Sequence, residues 1–176
     1  MDASTVLSRL RVFPDWPQLG VRFLDIGSLT ESPELFGWTV SGLGEIARSA
    51  GTEVLVAVDA RGFLWAGAVA AALGLPVVLA RKPGKLPGES VCGSYEYEYA
   101  SGSICIQRDA PLCGKRVMVI DDVLATGGTL RCLHGLLRAE FHVQEAVMAV
   151  VLEIGALAGR LAIEREGGRV RSLICS

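Results

Sequence analysis

The most informative residues are two adjacent carboxylates, Asp121 and Asp122, which follow a run of apolar residues. Small and hydroxyl-bearing residues come next: Ala125, Thr126, Gly127, Gly128 and Thr129. Backbone N–H groups at the start of a helix bind a phosphate monoester when glycines leave them open. Because carboxylates repel phosphate, the two aspartates fit ribose hydroxyls or a Mg²⁺ ion held through water. The run therefore favours a sugar-phosphate site over its structural alternative, an ordinary strand, turn and helix with acidic residues.

Polar residues follow two other apolar runs. Asp59, Ala60 and Arg61 come directly after residues 54–58, and a stretch rich in Gly, Pro and Lys begins at Arg81, after residues 76–80. The G-x-x-x-x-G-K-[ST] pattern of triphosphate-binding loops does not occur in the chain. These polar segments are expected to lie near the two carboxylates if the apolar runs are neighbouring strands.

Short and long apolar segments alternate along the chain. The short segments predict strands, and the long segments predict helices. The predicted sheet strands are 54–58, 76–80, 117–120, 146–152 and 170–174, and the predicted helices are 33–50, 62–73 and 130–141. Such alternation implies an α/β fold with a central, mainly parallel sheet and helices on both faces. Ligands of such sheets bind at the carboxyl ends of the strands.

Two regions interrupt this alternation. Residues 13–20 contain two prolines and a glycine and are expected to be irregular. Residues 81–93 are expected to form a loop. The segments 94–99 and 103–107 alternate like the strands of a ribbon that is joined around Gly102.

Composition excludes several classes of protein. The chain has 176 residues, of which 51% are hydrophobic, and a net charge of −2, which indicates one globular domain and argues against a nucleic-acid partner. Its five cysteines are scattered, so reduced thiols in a cytoplasmic protein are expected, without a disulfide framework or a zinc site. The uncharged run 64–80 is short for a membrane span and contains Gly74 and Pro76, so a helix followed by a strand explains it.

Residues 119–129, VIDDVLATGGT, resemble the phosphoribosyl pyrophosphate motif of the type I phosphoribosyltransferases. Other segments are similar to the same family in the same order: 13–17 and 20–26 to its base-binding hood, 59–63 to its pyrophosphate loop, and 81–88 with 95–99 to its mobile loop. The resemblance implies a single domain over residues 1–176 with a five-stranded parallel sheet. It also implies a small N-terminal hood (1–30) and a flexible β-ribbon loop (81–108).

The resemblance is greatest to the family members that act on adenine. It implies transfer of the 5-phosphoribosyl group from phosphoribosyl pyrophosphate to adenine, which yields AMP and pyrophosphate in purine salvage. Mg²⁺ would be carried by the substrate, with no metal site of the protein's own, and could lie near Asp121 and Asp122 through water. A homodimer with small-molecule substrates is expected, without nucleic acid or membrane as partner.

The same resemblance assigns roles to residues. Residues Ala125, Thr126, Gly127, Gly128 and Thr129 would hold the 5′-phosphate, and Asp121 and Asp122 would face the ribose. The pyrophosphate would be bound by Asp59, Ala60, Arg61, Arg81, Lys82 and Lys85. Arg61 and Lys85 are also catalytic candidates, and Lys85 could come from a neighbouring subunit. The Asp59–Ala60 peptide is implied to be cis.

Glu98, next to Tyr99 in the flexible loop, is the implied catalytic carboxylate that handles the proton of the base. Glu96 has the same chemistry, and only the likeness of Glu98 and Tyr99 to the family separates the two acids. Closure of the loop would bring Glu98 to the adenine and exclude water from a cationic transition state.

Adenine carries no charge, so stacking and hydrogen bonds to its edge must select it. Phe23 could stack on the ring while backbone groups of Arg22 and Leu24 bind the amino edge, and Leu124 with Leu152 could close the other side. The alternative for Phe23 is plain core packing. The family usually has a basic residue at the position of Leu24, which bears on the choice of base.

Two other functions remain open from the sequence. The enzyme could use another purine, such as hypoxanthine, guanine or xanthine, but residues 146–152 contain no lysine to bind an oxopurine oxygen. The chain could instead be a non-catalytic sensor of phosphoribosyl pyrophosphate, but it retains Glu98 in the loop.

Overall fold

The computed structural model of the chain describes residues 1–97 and 100–176, apart from the side chains of 96, 97, 100 and 101. The helices are α1 (Ala3–Ser8), α2 (Gly27–Thr30), α3 (Pro33–Ser49), α4 (Gly62–Leu73), α5 (Gly128–Ala139) and α6 (Gly159–Glu164), and a 3-10 turn spans Gly155–Leu157. The strands are β1 (Arg11–Pro14), β2 (Arg22–Asp25), β3 (Val54–Val58), β4 (Val77–Ala80), β5 (Ser90–Tyr97), β6 (Ala100–Gln107), β7 (Arg116–Leu124), β8 (Glu145–Glu153) and β9 (Arg169–Cys175).

The centre of the molecule is a five-stranded sheet in the order β4-β3-β7-β8-β9. Every neighbouring pair of strands in it is parallel. All five residues of β3 are buried, which is typical of a strand covered by helices on both faces. The predicted α/β fold with a central five-stranded parallel sheet is therefore confirmed.

The sheet divides the apolar core into two layers. Helices α3 and α4 and the hood cover one face with residues that include Leu24, Leu29, Leu43 and Trp65. Helices α5 and α6 and the β5–β6 ribbon cover the other face with residues that include Ile104, Ile106, Leu133 and Ile163. The hood and the ribbon therefore pack on opposite faces of the sheet.

The hood contains a strand where irregular structure was predicted. Phe13 and Pro14 belong to β1, which pairs with β2 in an antiparallel two-stranded sheet. A proline is compatible with this position because it ends an edge strand, where its missing N–H breaks no ladder. The expectation of irregular structure over residues 13–20 was wrong for these two residues.

The ribbon is longer than predicted, and its connection lies elsewhere. Its register pairs Tyr97 with Ala100 and Tyr95 with Gly102, so Gly102 lies within β6 and does not join the two strands. Strand β5 begins at Ser90, inside the stretch that was predicted to be a loop. Cross-strand pairing with β6 determines this start, and the local sequence of residues 90–93 carries no apolar period that would have shown it.

A disulfide between Cys92 and Cys105 corrects the expectation of reduced thiols. The two cysteines are directly opposite each other in the antiparallel ribbon, with Cα atoms 4.0 Å apart. Their 13-residue separation in sequence gave no sign of this register. Cys113, Cys132 and Cys175 are free.

Strand β7 extends past the predicted end at Ile120. Asp121 and Leu124 still pair with β8, because β8 also continues, to Glu153. Helix α5 starts at Gly128, two residues before the predicted start. The two carboxylates therefore lie on a strand, and only residues 125–127 separate that strand from α5. In the described part of the chain, no helix combines the length and the apolar character that crossing a bilayer requires.

Candidate active site

A cavity of about 830 Å³ opens at the carboxyl ends of β3 and β7, beneath the ribbon. Residues from three predicted site segments line it: Asp59, Ala60, Arg61, Lys82, Asp121, Asp122, Ala125 and Thr129. Ribbon residues complete the wall: Ser94, Tyr95, Gly102, Ser103 and Ile104. Segments more than 60 residues apart in the sequence thus meet in one concave, polar site.

Gly62 allows two of these segments to touch. A Cβ atom at this position would lie 2.5 Å from the carbonyl oxygen of Ile120, so only glycine permits α4 to begin against β7. This approach brings Arg61 beside Asp122, with Nε 2.5 Å from Oδ2. The Asp122 carboxylate is buried, whereas 60% of the Arg61 side chain is exposed toward the cavity.

Asp121 lies beside this ion pair and in a less favourable electrostatic environment. Its Oδ1 accepts a hydrogen bond of 2.9 Å from the backbone N–H of Asp122. Burial raises the pKa of the Asp121 carboxyl well above its ordinary value, and the neighbouring charge of Asp122 raises it further. A cationic or hydroxyl-bearing ligand in the cavity would relieve this repulsion.

A smaller cavity of about 260 Å³ lies over the turn before α5. Its lining includes the predicted phosphate-binding residues Ala125, Thr126, Gly127, Gly128 and Thr129. Gly127 has a φ of +87°, and a Cβ atom there would lie 2.9 Å from the carbonyl oxygen of Gly159. Glycine is therefore required at position 127 by both conformation and space. The residues at the start of α5, where backbone N–H groups have no partner within the helix, line this cavity, as phosphate binding needs.

A buried ion pair supports the turn from behind, and sequence reasoning missed it. Glu153, at the end of β8, accepts hydrogen bonds from Nε of Arg160 at 2.9 Å and from Nη2 at 2.5 Å. Ser172 donates a further hydrogen bond of 2.7 Å to the same carboxylate. The hydrogen bonds from Arg160 lower the pKa of Glu153. Arg160 follows Gly159, so the pair fixes the backbone against which Gly127 packs.

The segment after β3 is held against the loop that begins at Arg81. The Asp59–Ala60 peptide is cis, as the resemblance implied. Nε of Arg81 lies 3.2 Å from Oδ2 of Asp59, and Nη1 of Arg81 donates a 3.2 Å hydrogen bond to the carbonyl of Lys85. Arg81 thus holds its own loop against Asp59, while Lys82 faces the cavity.

The predicted adenine-binding residues lie apart from this cavity. Phe23 packs edge-on against Trp16, with ring centroids 4.4 Å apart, and Arg22 is exposed. Leu24, Leu124 and Leu152 are buried. Among the residues that the structure describes, none of the five predicted adenine-binding residues lines the larger cavity, although Leu124 lines the smaller one.

The hood is anchored by charge near the site. Arg11 of β1 lies 2.6 Å from Asp25 and 2.7 Å from Glu31. Hydrogen bonds from Arg11 lower the pKa of Asp25, and the more distant charge of Arg61 acts in the same direction. The end of β2 therefore lies within electrostatic reach of the cavity.

The loop carboxylates lie partly beyond the described residues. Glu98 and Tyr99 are outside them, as is the side chain of Glu96. The structure adds a ribbon residue that the sequence did not single out, since Oγ1 of Thr129 donates a 3.0 Å hydrogen bond to the hydroxyl of Tyr95. The alternation of the ribbon could have placed Tyr95 on one face, but not opposite Thr129.

Asp59, Asp121 and Asp122 are the acidic side chains among the described residues that line the larger cavity. In the described ranges, no three His, Cys, Asp or Glu side chains form a group that could hold a metal ion by themselves. Carboxylate and water oxygens are nevertheless the ligands that Mg²⁺ prefers, and it commonly binds through one or two carboxylates together with substrate phosphates. The residues present fit a magnesium ion that arrives with a phosphorylated substrate.

The comparisons with known proteins agree with one another. The family model of the phosphoribosyl transferase domain matches residues 43–162. The adenine phosphoribosyltransferase of Frankia casuarinae is 43% identical over 158 residues, which cover 90% of this chain and 84% of that protein. The adenine phosphoribosyltransferase of Actinobacillus succinogenes is 40% identical over 163 residues, which cover 92% of this chain and 89% of that protein.

Solved structures with the same fold carry the same name. The adenine phosphoribosyltransferase from Thermoanaerobacter pseudethanolicus superposes with a TM-score of 0.88, at 33% identity and over 99% of both chains. The enzyme from Saccharomyces cerevisiae, which was solved with adenine and an imino-altritol bisphosphate, superposes with a TM-score of 0.87, at 31% identity and over 98% of both chains.

Proposed function

Because this chain belongs to the type I phosphoribosyltransferase family and its relatives are adenine phosphoribosyltransferases, we propose that it makes AMP from adenine and phosphoribosyl pyrophosphate. In this reaction the bond from the anomeric carbon to pyrophosphate breaks, and a bond from that carbon to N9 of adenine forms. Pyrophosphate leaves, and adenine loses one proton. The reaction is a step of purine salvage.

One observation supports the proposal most directly: the turn before α5 and the Asp59–Arg61 segment line two adjoining cavities, and Asp121, Ala125 and Thr129 belong to the lining of both. A ribose with a phosphate at C5 and a pyrophosphate at C1 has the same order of groups. We assign the 5′-phosphate to residues 125–129 and the pyrophosphate to residues 59–61 and Lys82. Arg81 and Lys85 would join the pyrophosphate site when the loop closes.

The residues of the cavity have chemistry that suits this transfer. Breaking the anomeric bond early gives the sugar oxocarbenium character, which the negative charges of Asp121 and Asp122 would stabilise. Arg61 and Lys85 would neutralise the leaving pyrophosphate. Mg²⁺ bound to the substrate would share in that neutralisation, with Asp121 and Asp122 holding it through water.

Adenine would bind between the hood and the end of the sheet, with Phe23 on its face. Leu24 does not count against adenine, because its side chain is 8% exposed and points into the core, so its backbone would contact the base. Glu98 would handle the proton of the base from the flexible loop. We further propose that the enzyme acts as a homodimer in the cytoplasm, where Lys85 of one subunit could reach the site of the other.

One assay tests the proposal against both alternatives. The protein is incubated with phosphoribosyl pyrophosphate and Mg²⁺, and adenine, hypoxanthine, guanine and xanthine are supplied in turn while nucleotide and pyrophosphate are measured. AMP formed from adenine supports the proposal. Nucleotide from an oxopurine in preference to adenine would reassign the base. Tight binding of phosphoribosyl pyrophosphate without any nucleotide product would indicate a sensor.

A further inference from the structure

Tyr95 is the ribbon residue that connects the two cavities. Its side chain lines both the larger cavity at the sheet edge and the smaller cavity over the phosphate-binding turn. Its hydroxyl lies 3.0 Å from Oγ1 of Thr129, the second residue of α5. The tyrosine therefore contacts the proposed 5′-phosphate site from β5, which ends at Tyr97, one residue before Glu98 in the sequence.

Packing between β5 and α5 fixes this contact. Residues two apart on a strand share a face, and residues three apart on a helix do too. Gly93 lies against Cys132, since a Cβ atom at Gly93 would be 2.5 Å from the sulfur. Tyr95 is two residues beyond Gly93, and Thr129 is three residues before Cys132. The Tyr95–Thr129 contact thus continues an existing strand–helix interface.

Gly102 holds the tyrosine ring from the other side. It pairs with Tyr95 across the ribbon, and a Cβ atom at Gly102 would lie 2.8 Å from Cε2 of the ring and closer still to its hydroxyl end. The ring therefore lies over the Gly102 backbone, where any other residue would displace it. The position of the Tyr95 hydroxyl is set by packing on two sides.

The hydrogen-bond chemistry of the two hydroxyls depends on whether phosphate is present. Each hydroxyl has one proton to donate and can accept in return. Without a ligand, Thr129 donates to Tyr95. A phosphate in the turn accepts hydrogen bonds only, so Thr129 would turn its proton to the phosphate and would then accept the proton of Tyr95. A chain of donors that ends on a charged acceptor is stronger than a neutral pair.

We propose that Tyr95 is a positioning residue that links occupancy of the 5′-phosphate site to the placement of the ribbon. This inference rests on the proposed function for the identity of the phosphate. Binding of the phosphate strengthens the Tyr95–Thr129 contact, and the contact holds β5, which ends at Tyr97, one residue before Glu98 in the sequence. By thermodynamic reciprocity, an ordered ribbon must also strengthen phosphate binding by the same factor.

The test uses Tyr95→Phe, which keeps the ring over Gly102 and removes only the hydroxyl, with Tyr97→Phe in the same strand as the matched control. Ribose 5-phosphate is the probe, because it occupies the phosphate site without any chemistry. Affinity is measured by calorimetry, and amide hydrogen exchange is followed in peptides that cover 90–107. Ribose 5-phosphate should slow this exchange in the wild-type protein and in Tyr97→Phe, but markedly less in Tyr95→Phe.

Loss of one hydrogen bond of this kind should weaken ribose 5-phosphate binding by about three- to tenfold. Thr129→Val should remove the effect of Tyr95→Phe, so that the double variant binds no more weakly than Thr129→Val alone. Thr129→Ser, which retains the hydroxyl, should restore the dependence on Tyr95.

Equal affinity and equal exchange protection in Tyr95→Phe and the wild-type protein would overturn the inference. Additive losses in the double variant would also overturn it, because independent effects mean no coupling. If the wild-type protein makes no AMP but ribose 5-phosphate still slows exchange through Tyr95, the proposed function fails while this inference stands.

Discussion

Arg61 and Asp122 form an ion pair across the floor of the cavity, with Nε of the arginine 2.5 Å from Oδ2 of the aspartate. The carboxylate is buried and the guanidinium is mostly exposed. Arg61 is thereby held at the cavity wall by one edge, while its remaining N–H groups stay available for a phosphate. The arrangement depends on the close approach of Gly62 to the β7 backbone.

Replacement of Arg61 should therefore affect both catalysis and stability. Arg61→Ala removes a cation from the proposed pyrophosphate site, and we expect kcat/KM for phosphoribosyl pyrophosphate to fall by about 100-fold or more. The melting temperature should fall as well, because the substitution leaves the Asp122 carboxylate buried without its cation. Steady-state kinetics and thermal melting measure both effects. Arg9→Ala, which breaks an exposed pair with Glu34, is the control and should leave the kinetics unchanged; equal kinetic losses in both variants would contradict this role for Arg61.

Asp121→Asn should stabilise the protein at neutral pH while it lowers activity. Burial raises the pKa of Asp121 above the unfolded value of 3.8, so its contribution to stability is full below that pH and is lost as the pH rises through the folded pKa. The uncharged amide avoids this loss. We expect the melting temperature at pH 7 to rise by a few degrees, since about 1 kcal/mol corresponds to roughly 2–4 °C for a chain of this size.

The pH dependence is the diagnostic part of that experiment. The melting-temperature difference between Asp121→Asn and the wild-type protein should shrink toward zero as the pH falls to 4, when the wild-type carboxyl is protonated. Asp121→Asn should also bind Mg²⁺-phosphoribosyl pyrophosphate more weakly. A melting-temperature gain that is constant from pH 4 to pH 8 would show that charge on Asp121 is not its cause.

Gly127→Ala should disable the phosphate-binding turn. The φ of +87° and the carbonyl of Gly159 at 2.9 Å both oppose a Cβ atom, and we expect a loss of about 1–3 kcal/mol in the free energy of unfolding together with weaker ribose 5-phosphate binding. Gly135→Ala, in the middle of α5 with nothing within 4 Å, is the matched control. It should stabilise by about 0.5–1 kcal/mol. Urea unfolding and calorimetry compare the two variants. If Gly127→Ala changes neither stability nor ribose 5-phosphate binding, the turn can accommodate a Cβ atom.

Arg160→Met should destabilise the protein because it leaves the Glu153 carboxylate buried without its cation. We expect a loss of about 3 kcal/mol, the lower end for broken buried pairs, since Arg160 remains 32% exposed. Ribose 5-phosphate binding should weaken as well, because the Gly159 backbone behind the turn loses its support. Arg165→Met, at an exposed position near the end of α6, should change neither quantity.

The Glu153–Arg160 pair should also affect how much stability the protein loses at acid pH. Arg160 lowers the folded pKa of Glu153 below the unfolded value of 4.5, so this stabilisation is present above pH 4.5 and is lost as the pH falls through the folded pKa. The double variant Arg160→Met/Glu153→Leu should recover most of the loss and should lose less stability in acid. Failure of the second substitution to rescue the first would show that Arg160 acts through other contacts.

Glu98→Gln tests the proton role that the sequence assigned. Turnover with adenine should fall by about 100-fold or more, while binding of phosphoribosyl pyrophosphate should change little, because general acid–base assistance typically contributes about 10²–10⁴-fold. Glu96→Gln is the matched control in the same segment. If Glu96→Gln is the slow variant, the proton role belongs to Glu96.

Local sequence was sufficient for much of the fold. Strand β3 and helix α4 match their predicted bounds of 54–58 and 62–73, because a continuous apolar run and a terminal glycine at position 74, with φ of +67°, define them without help from distant residues. The ends of β7 and β8 could not be found in this way. Their last residues pair with each other, and strand pairing between distant segments leaves little trace in either segment alone.

In the candidate site, too, local sequence was sufficient for some features and not for others. Residues 121–129 could be interpreted as a phosphate-binding turn with two carboxylates from their types and spacing, since backbone N–H groups, hydroxyls and charges have the same chemistry wherever the turn lies. The buried Glu153–Arg160 pair left no comparable signal. An acid at the end of a predicted strand is unremarkable until its partner is known.

The sequence by itself determined the order of elements, the candidate phosphate-binding turn and the membership of the family, because these depend on residues that are neighbours in the chain. Only the tertiary structure decided which charges and hydroxyls meet: Arg61 with Asp122, Arg81 with Asp59, Thr129 with Tyr95, and Cys92 with Cys105. These contacts depend on the register of paired strands, on the close approach of Gly62 to the β7 backbone and on the packing of the Tyr95 ring over Gly102. Register and approach arise from packing of the whole chain, which the spacing of residues within one segment does not specify.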